Sequence, residues 1–311
     1  MSQQNTVSIL TIIAPEGQAL LNDKVLSDIK SKLSIDSPTQ WLAKDEALDF
    51  EINVAWPDST GQRKQPSLDI KNKIAEALQP HSFDFALQPK EQRRKKLLIS
   101  DMDSTIIGEE CIDEIAYMAG IKPKIAAITE RAMQGEIEFD TALRERVGLL
   151  KGLDTKALET VISERLNLNK GARTLVQTMA ANNAYCALVS GGFTFFTEKI
   201  AQLTGFHTTQ ANTLEIKDDK LTGNVIPPIL GSAAKKQALE QFIKEQEILP
   251  QDTLAVGDGA NDLEMIKASG LGVAYYAKPI VAAKADASVN YTDLTALLYM
   301  QGFKKSEFVT D

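Results

Sequence analysis

Leu97-Leu98-Ile99-Ser100-Asp101-Met102-Asp103-Ser104-Thr105 is the stretch that decides the fold. A short apolar run breaks off at two carboxylates two positions apart. Three later runs have the same form: 185–189 ends at Ser190, 253–256 reaches Gly257 and Asp258, and 271–275 closes the set. Short unbroken apolar runs separated by helical stretches are strands of a parallel sheet buried on both faces. Ligands bind such sheets beyond the carboxyl ends of the strands. Asp101, Ser190 and Asp258 are therefore expected on one rim, although they are distant in sequence.

Outward from these strands, residues 107–168 break the alternation. Helical patterns follow one another at 112–118, 124–133, 139–150 and 157–166, with no clear strand among them. Inserted just after the first strand, they predict a helical cap over the rim. Residues 213–225 predict a hairpin projecting from the sheet domain. Ahead of the motif, strands at 6–13, 50–56 and 82–86 and helices at 18–33 and 68–78 make a small α/β unit without a catalytic constellation. Gln88 to Lys96 is polar and mostly basic, and it reads as a solvated linker. The expected division is an α/β domain over 1–90 and a second domain over 91–311, with the cap at about 107–168. The 311 residues suit this division, and 43% hydrophobic residues suffice for a sizeable core.

The net charge of −8 argues against non-specific binding to nucleic acid or an anionic membrane. The N-terminus lacks the pattern of a signal peptide, and no apolar run approaches membrane-spanning length, so a cytoplasmic protein is expected. Cys111 and Cys186 lie in apolar contexts without a CxxC or Cys/His cluster, which predicts reduced, packed thiols. His81 and His207 are far apart, so a histidine-based hydrolase or zinc enzyme has little support.

An ordinary turn or helix cap would explain Asp101 and Asp103 equally well if they stood alone. Gly257-Asp258-Gly259-Ala260-Asn261-Asp262 ends another strand, however, and two acidic strand ends on one rim suit a hard cation. Magnesium prefers such oxygen ligands. Asp101-Met102-Asp103-Ser104-Thr105, then Ser190-Gly191-Gly192, then Lys235, then 257–262 resemble the four motifs of the haloacid dehalogenase superfamily. The resemblance runs from about Lys96 towards the C-terminus. It implies a Rossmann-like α/β phosphatase. The motif order, the cap position and residues 211–223 look most like the branch whose substrate is O-phospho-L-serine.

That resemblance implies a role for each matching residue. Asp101 is the nucleophile, and Asp103 is the acid for the leaving oxygen and then the base for water. Magnesium lies on the Asp101 side chain, the Asp103 main-chain carbonyl and Asp258. Ser190 and the Gly191 backbone bind phosphate oxygens, next to the N-terminus of a following helix. The stripe Phe193, Phe196, Ile200 and Leu203 on that helix is expected in the core.

Helical neighbours point about 100° apart. Lys235 shares a stripe with Leu239 and Phe242 and is assigned to the phosphoryl group, as the family motif also implies. Lys236, on the stripe of Glu240, is assigned to solvent. Asn261 binds phosphate or orients Lys235. Asp262 has two equal readings, an N-cap before Leu263 or a residue beside the metal.

In the cap, Arg146 lies one heptad after Phe139 and projects in nearly the same direction. A snorkelling or ion-paired arginine is the plain alternative to a fork for the substrate carboxylate. The resemblance favours the fork. It also implies that Glu110 takes the substrate ammonium, with Glu109 free to serve the helix start, and that Met133 and Phe139 line the pocket. The implied activity is hydrolysis of O-phospho-L-serine, the last step of serine biosynthesis; a homodimer is an open expectation that the sequence does not decide.

Two alternatives stand beside this. One is another capped phosphatase or phosphotransferase of the superfamily, for instance one transferring to homoserine. The other is an amino-acid-binding regulator, since the 1–90 unit is similar in outline to ligand-sensing domains of the ACT type.

Overall fold

A computed structural model describes residues 4–56, 67–134 and 136–310 of the chain. Among the described residues eleven strands follow in chain order: β1 Gln4–Ile13, β2 Gln40–Ala43, β3 Ala47–Trp56, β4 Asp84–Pro89, β5 Leu97–Ser100, β6 Tyr185–Phe193, β7 Thr208–Lys217, β8 Lys220–Ile226, β9 Thr253–Gly257, β10 Leu271–Tyr275 and β11 Ala287–Val289. Twelve α-helices among the same described residues accompany them. Two flank the first strands, α1 Asp23–Leu33 and α2 Leu68–Leu78. Four follow β5: α3 Cys111–Met118, α4 Lys122–Met133, α5 Phe139–Gly148 and α6 Thr155–Glu164. The rest are α7 Ala172–Ala181, α8 Thr194–Thr204, α9 Ser232–Glu245, α10 Leu263–Ala268, α11 Pro279–Ala282 and α12 Ala296–Met300.

β5 lies between β6 and β9, parallel to both, with Leu97 opposite Tyr185 on one side and Thr253 on the other. All four of its residues are buried. A strand covered by helices on both faces gains nothing from alternation, hence the unbroken apolar run. The Asp101 N–H continues the ladder by donating to Val256 O at 3.0 Å. The nucleophile candidate therefore leaves the sheet at its carboxyl edge, as expected.

α3–α6 form the cap after β5. Ile107 and Leu168 pair in an isolated antiparallel bridge, which closes the neck where the chain leaves and returns. The hairpin turns at Asp218 and Asp219, both at left-handed φ (50° and 57°). Two such residues suit the primed turns of tight hairpins. The hairpin also docks on the cap, since Gly152 N–H donates to Leu221 O and Leu221 N–H to Leu153 O.

Several expectations are corrected. Helix α1 begins at Asp23 rather than 18, where Asn22 Oδ1 accepts from Val25 N–H. β2 and α7 have no counterpart in the sequence reading. Leu203 is exposed, while Phe193, Phe196 and Ile200 are buried as expected. The first four strands have a hydrophobic core of their own, from Leu10 to Leu87, and also join the rest at one edge. The sheet runs continuously as β2-β3-β1-β4-β11-β10-β9-β5-β6-β7-β8, with β4 meeting β11 at Phe85 and Ser288.

The basic run 88–96 is largely exposed, as expected of a solvated linker, but Gln88 and Arg93 depart from that reading. Arg93 is nearly buried and pairs with Asp49 at 2.8 Å, while its other end reaches Thr11 Oγ1 and the carbonyls of Tyr299 and Met300. Arg94 lies over the Phe303 ring and pairs with Glu307. Near Arg93, Gln88 donates to Met300 O at 2.7 Å. These groups fasten the first strands to the helix after β11. Among the described residues no helix is long and apolar enough to cross a membrane.

Candidate active site

Asp101, Asp103, Ser190, Lys235 and Asp262 are buried at the carboxyl ends of β5, β6 and β9, with Asp258 partly buried beside them. Lys235 enters from the first turn of α9 and is 3% exposed. Its ammonium lies 2.7 Å from Asp101 Oδ1 and 2.5 Å from Asp262 Oδ1. Lys236 points away, partly exposed, 3.8 Å from Glu240. Burial alone would lower the Lys235 pKa, but Asp101 and Asp262 outweigh it and hold the amine charged.

Met102 N–H donates to Asp101 Oδ1 at 2.8 Å, so that oxygen carries two donors. Asp103 is turned the other way. Its Oδ1 accepts from Cys111 N–H at 2.8 Å, and its Oδ2 from Ser190 Oγ at 3.0 Å. Ser190 Oγ in turn accepts from Gly192 N–H at 2.8 Å. The Gly191 carbonyl accepts from Asn212. The Phe139 ring would touch a Cβ at Gly191 or at Gly231, at 3.5 Å in each case, so it lies over the Ser190–Gly192 turn.

Asp101, Asp258 and Asp262 each offer an oxygen within 4.8 Å of the others. Burial and the Asp262 charge push Asp101 well above the usual carboxylate range, against the pull of Lys235. Burial and Asp262 likewise raise Asp258. Three crowded carboxylates share one ammonium, which leaves an excess of negative charge. An all-oxygen site with that excess fits a hard divalent cation. Asp262 does not cap α10. Its Oδ2 accepts from Gly259 N–H at 3.0 Å, and its Oδ1 holds Lys235. Of its two readings, the cap before Leu263 is the one the geometry removes. Asn261 lies in the same turn, against Gly259.

In the cap, Glu110 precedes α3 and accepts from Ser104 Oγ at 2.8 Å. Burial, and then the Asp103 charge, raise its pKa to about 7. Glu109 goes elsewhere, to the backbone and side chain of Asn167. Arg146 is partly buried and donates to Ala142 O and Thr129 Oγ1. Met133 ends α4, and its side chain lies outside the described residues.

The sequence reading passed over Thr105, Ser104 and Asn169. Thr105 Oγ1 donates to Asp258 at 3.3 Å, and Asn169 Nδ2 donates to the carbonyls of Thr105 and Ile107 at 2.8 and 3.1 Å. These three hold the turn that follows Asp103. Only Ser104 and Thr105 carried a signal, since both lie inside the quoted motif.

The profile of haloacid dehalogenase-like hydrolases matches residues 98–267, more than half the chain. The chain belongs to this family. It is 37% identical to a phosphoserine phosphatase of Archaeoglobus fulgidus over 248 residues, covering 79% of this chain and 71% of that one. It is 41% identical to one of Streptomyces coelicolor over 216 residues, covering 70% of this chain and 52% of that one. The chain thus spans about half the length of the Streptomyces relative. Among solved structures, the unliganded probable phosphoserine phosphatase of Vibrio cholerae superposes with a TM-score of 0.77 at 31% identity, over 97% of this chain and 88% of that one. The family is the one indicated by the order of Asp101, Ser190, Lys235 and Asp258 along the chain.

Proposed function

We propose that this protein hydrolyses O-phospho-L-serine to L-serine and phosphate through an aspartyl-phosphate on Asp101, as the last step of serine biosynthesis. The observation that carries the reading is the buried cluster of Asp101, Lys235, Asp262 and Asp258 beneath a cap that presents Glu110 and Arg146. The relatives named above support the same substrate. The catalytic part in this reading is 91–311, and residues 1–90 carry none of the proposed site residues. A cytoplasmic setting, in which the free thiols of Cys111 and Cys186 stay reduced, fits it.

An Asp101 oxygen attacks phosphorus, and the bond from phosphorus to the serine oxygen breaks. Asp103 gives that oxygen its proton. The deprotonated Asp103 then takes a proton from water, which attacks the aspartyl-phosphate and releases phosphate and the Asp101 carboxylate. Lys235, Ser190, the Gly191 backbone and Asn261 balance the charge on the phosphoryl oxygens. Glu110 receives the substrate ammonium, Arg146 its carboxylate, and Met133 and Phe139 the remaining surface. Magnesium on the Asp101 side chain, the Asp103 main-chain carbonyl and Asp258, with Asp262 beside it, would supply charge neutralisation at the phosphate.

The test is phosphate release from O-phospho-L-serine, O-phosphothreonine and sugar phosphates, with magnesium and after chelation, and with and without homoserine. Preferred release from phosphoserine that stops on chelation and returns with magnesium is expected. Serine formed only when homoserine is added, without a matching release of phosphate, would instead make the protein a phosphotransferase.

A further inference from the structure

Arg146 has five N–H donors to place. Nε donates to Ala142 O, one turn earlier in α5, at 3.3 Å. Nη1 donates to Thr129 Oγ1, across the cap on α4, at 3.4 Å. Among the described residues no carboxylate forms an ion pair with this guanidinium. Burial lowers its pKa on balance, against the weaker pull of the charges of Asp113 and Glu110.

The choice of neighbour has a chemical consequence. A carboxylate at position 129 would orient Arg146 but would also neutralise it, and it would compete with any anion brought to it. A hydroxyl orients it and leaves the charge available. The bond to Ala142 O alone leaves the plane of the guanidinium free to swing about the side chain. The second anchor, on another helix, fixes that plane and leaves the Nη2 edge open for a bidentate partner. The helices that carry the two groups are themselves tied close by, through Arg131 of α4 and Glu145 of α5 at 3.1 Å.

We propose that Thr129 is a positioning residue for substrate choice, holding Arg146 in the orientation that receives the substrate carboxylate. The proposal rests on the reading that Arg146 is the carboxylate ligand. Thr129 also borders a cavity of about 470 Å³ with Asp113, Ala126, Glu130 and Gln134. Thr129 lies against that space, so water can take the place of a lost hydroxyl there, and the expected effect is on orientation rather than on the stability of the cap.

The experiment compares Thr129→Val, Thr129→Ser and Arg146→Ala on O-phospho-L-serine and on O-phosphoethanolamine, which keeps the phosphate and the amine but lacks the carboxylate. Affinity for phosphoethanolamine is read as KM or as an inhibition constant. Arg146→Ala should weaken phosphoserine alone. Thr129→Val should raise the KM for phosphoserine about 3- to 10-fold, the worth of one hydrogen bond, with kcat within about twofold and phosphoethanolamine unchanged. Thr129→Ser should restore the wild-type value. If Arg146→Ala weakens phosphoserine and Thr129→Val does not, the positioning role is wrong. If Thr129→Val weakens both ligands alike, or Thr129→Ser fails to rescue, Thr129 is structural and the proposal falls. If Arg146→Ala does not discriminate between the ligands, the carboxylate reading itself falls, and this proposal falls with it.

Discussion

Asp101 spends Oδ1 on Met102 N–H and Lys235, while Oδ2 has no protein donor among the described residues. On the proposed mechanism Oδ2 is thus the oxygen left to attack. Asp101→Asn keeps an acceptor for both donors but removes the nucleophile. Phosphate release should fall about 10³-fold or more, while the circular dichroism spectrum stays native. Activity close to wild type would refute the aspartyl-phosphate. Glu110 sets a second prediction. Its pKa is raised from 4.5 to about 7, so the folded protein holds a proton there that the unfolded chain has already lost. Its stabilising contribution is complete below about 4.5 and is lost as pH rises through about 7. On the proposed reading binding runs the opposite way, because only the ionised carboxylate would pair with the substrate ammonium. The kcat/KM for phosphoserine should climb as pH rises through about 7, and Glu110→Gln should flatten that limb. At this scale the sequence reading separated Lys235 from Lys236 because helical phase distinguishes neighbours. It missed Asn169, whose bonds to Thr105 O and Ile107 O depend on a loop path that includes left-handed Ser104.

Strand β9 ends at Gly257, where a Cβ would lie 2.4 Å from both Cγ and Oδ2 of Asp262. The strand end and the turn after it therefore pack backbone against the carboxylate that holds Lys235. Gly257→Ala must displace Asp262, and with it the ammonium beside Asp101. A loss of about 1–3 kcal/mol in unfolding free energy is expected from the overpacking. The fall in kcat should exceed what that loss explains. Denaturant titration and steady-state kinetics on the same preparation separate the two effects. The parallel strands could be read from the sequence because burial on both faces erases alternation. β2 could not, since Gln40-Trp41-Leu42-Ala43 is only four residues long and lies at the sheet's edge. α7 was overlooked because Leu175, Val176 and Met179 face the core without an N-cap side chain to announce them. Strand order was not legible either, because it comes from pairings between segments far apart in the chain.

Across the whole molecule, Arg93 joins Thr11 and Asp49 of the first strands to the Tyr299 and Met300 carbonyls of α12. Composition assigned this run to solvent because its charges are legible and their buried partners, distant in sequence, are not. Arg93→Ala leaves Asp49 buried without its cation and should cost about 3–5 kcal/mol in a urea titration, with phosphatase activity retained below the transition. An unchanged midpoint would show that the first strands hold without this contact. Asp84, at the start of β4, accepts from the N–H groups of Asn290, Tyr291 and Thr292, and Gln88 of β4 reaches Met300. On the side away from β1, β4 therefore finds its neighbours only in residues made about 200 positions later on the ribosome. Throughout that interval its outer edge has no strand to pair with, which is the condition under which nascent chains associate with one another. The yield of soluble protein should therefore depend on how quickly translation reaches β11.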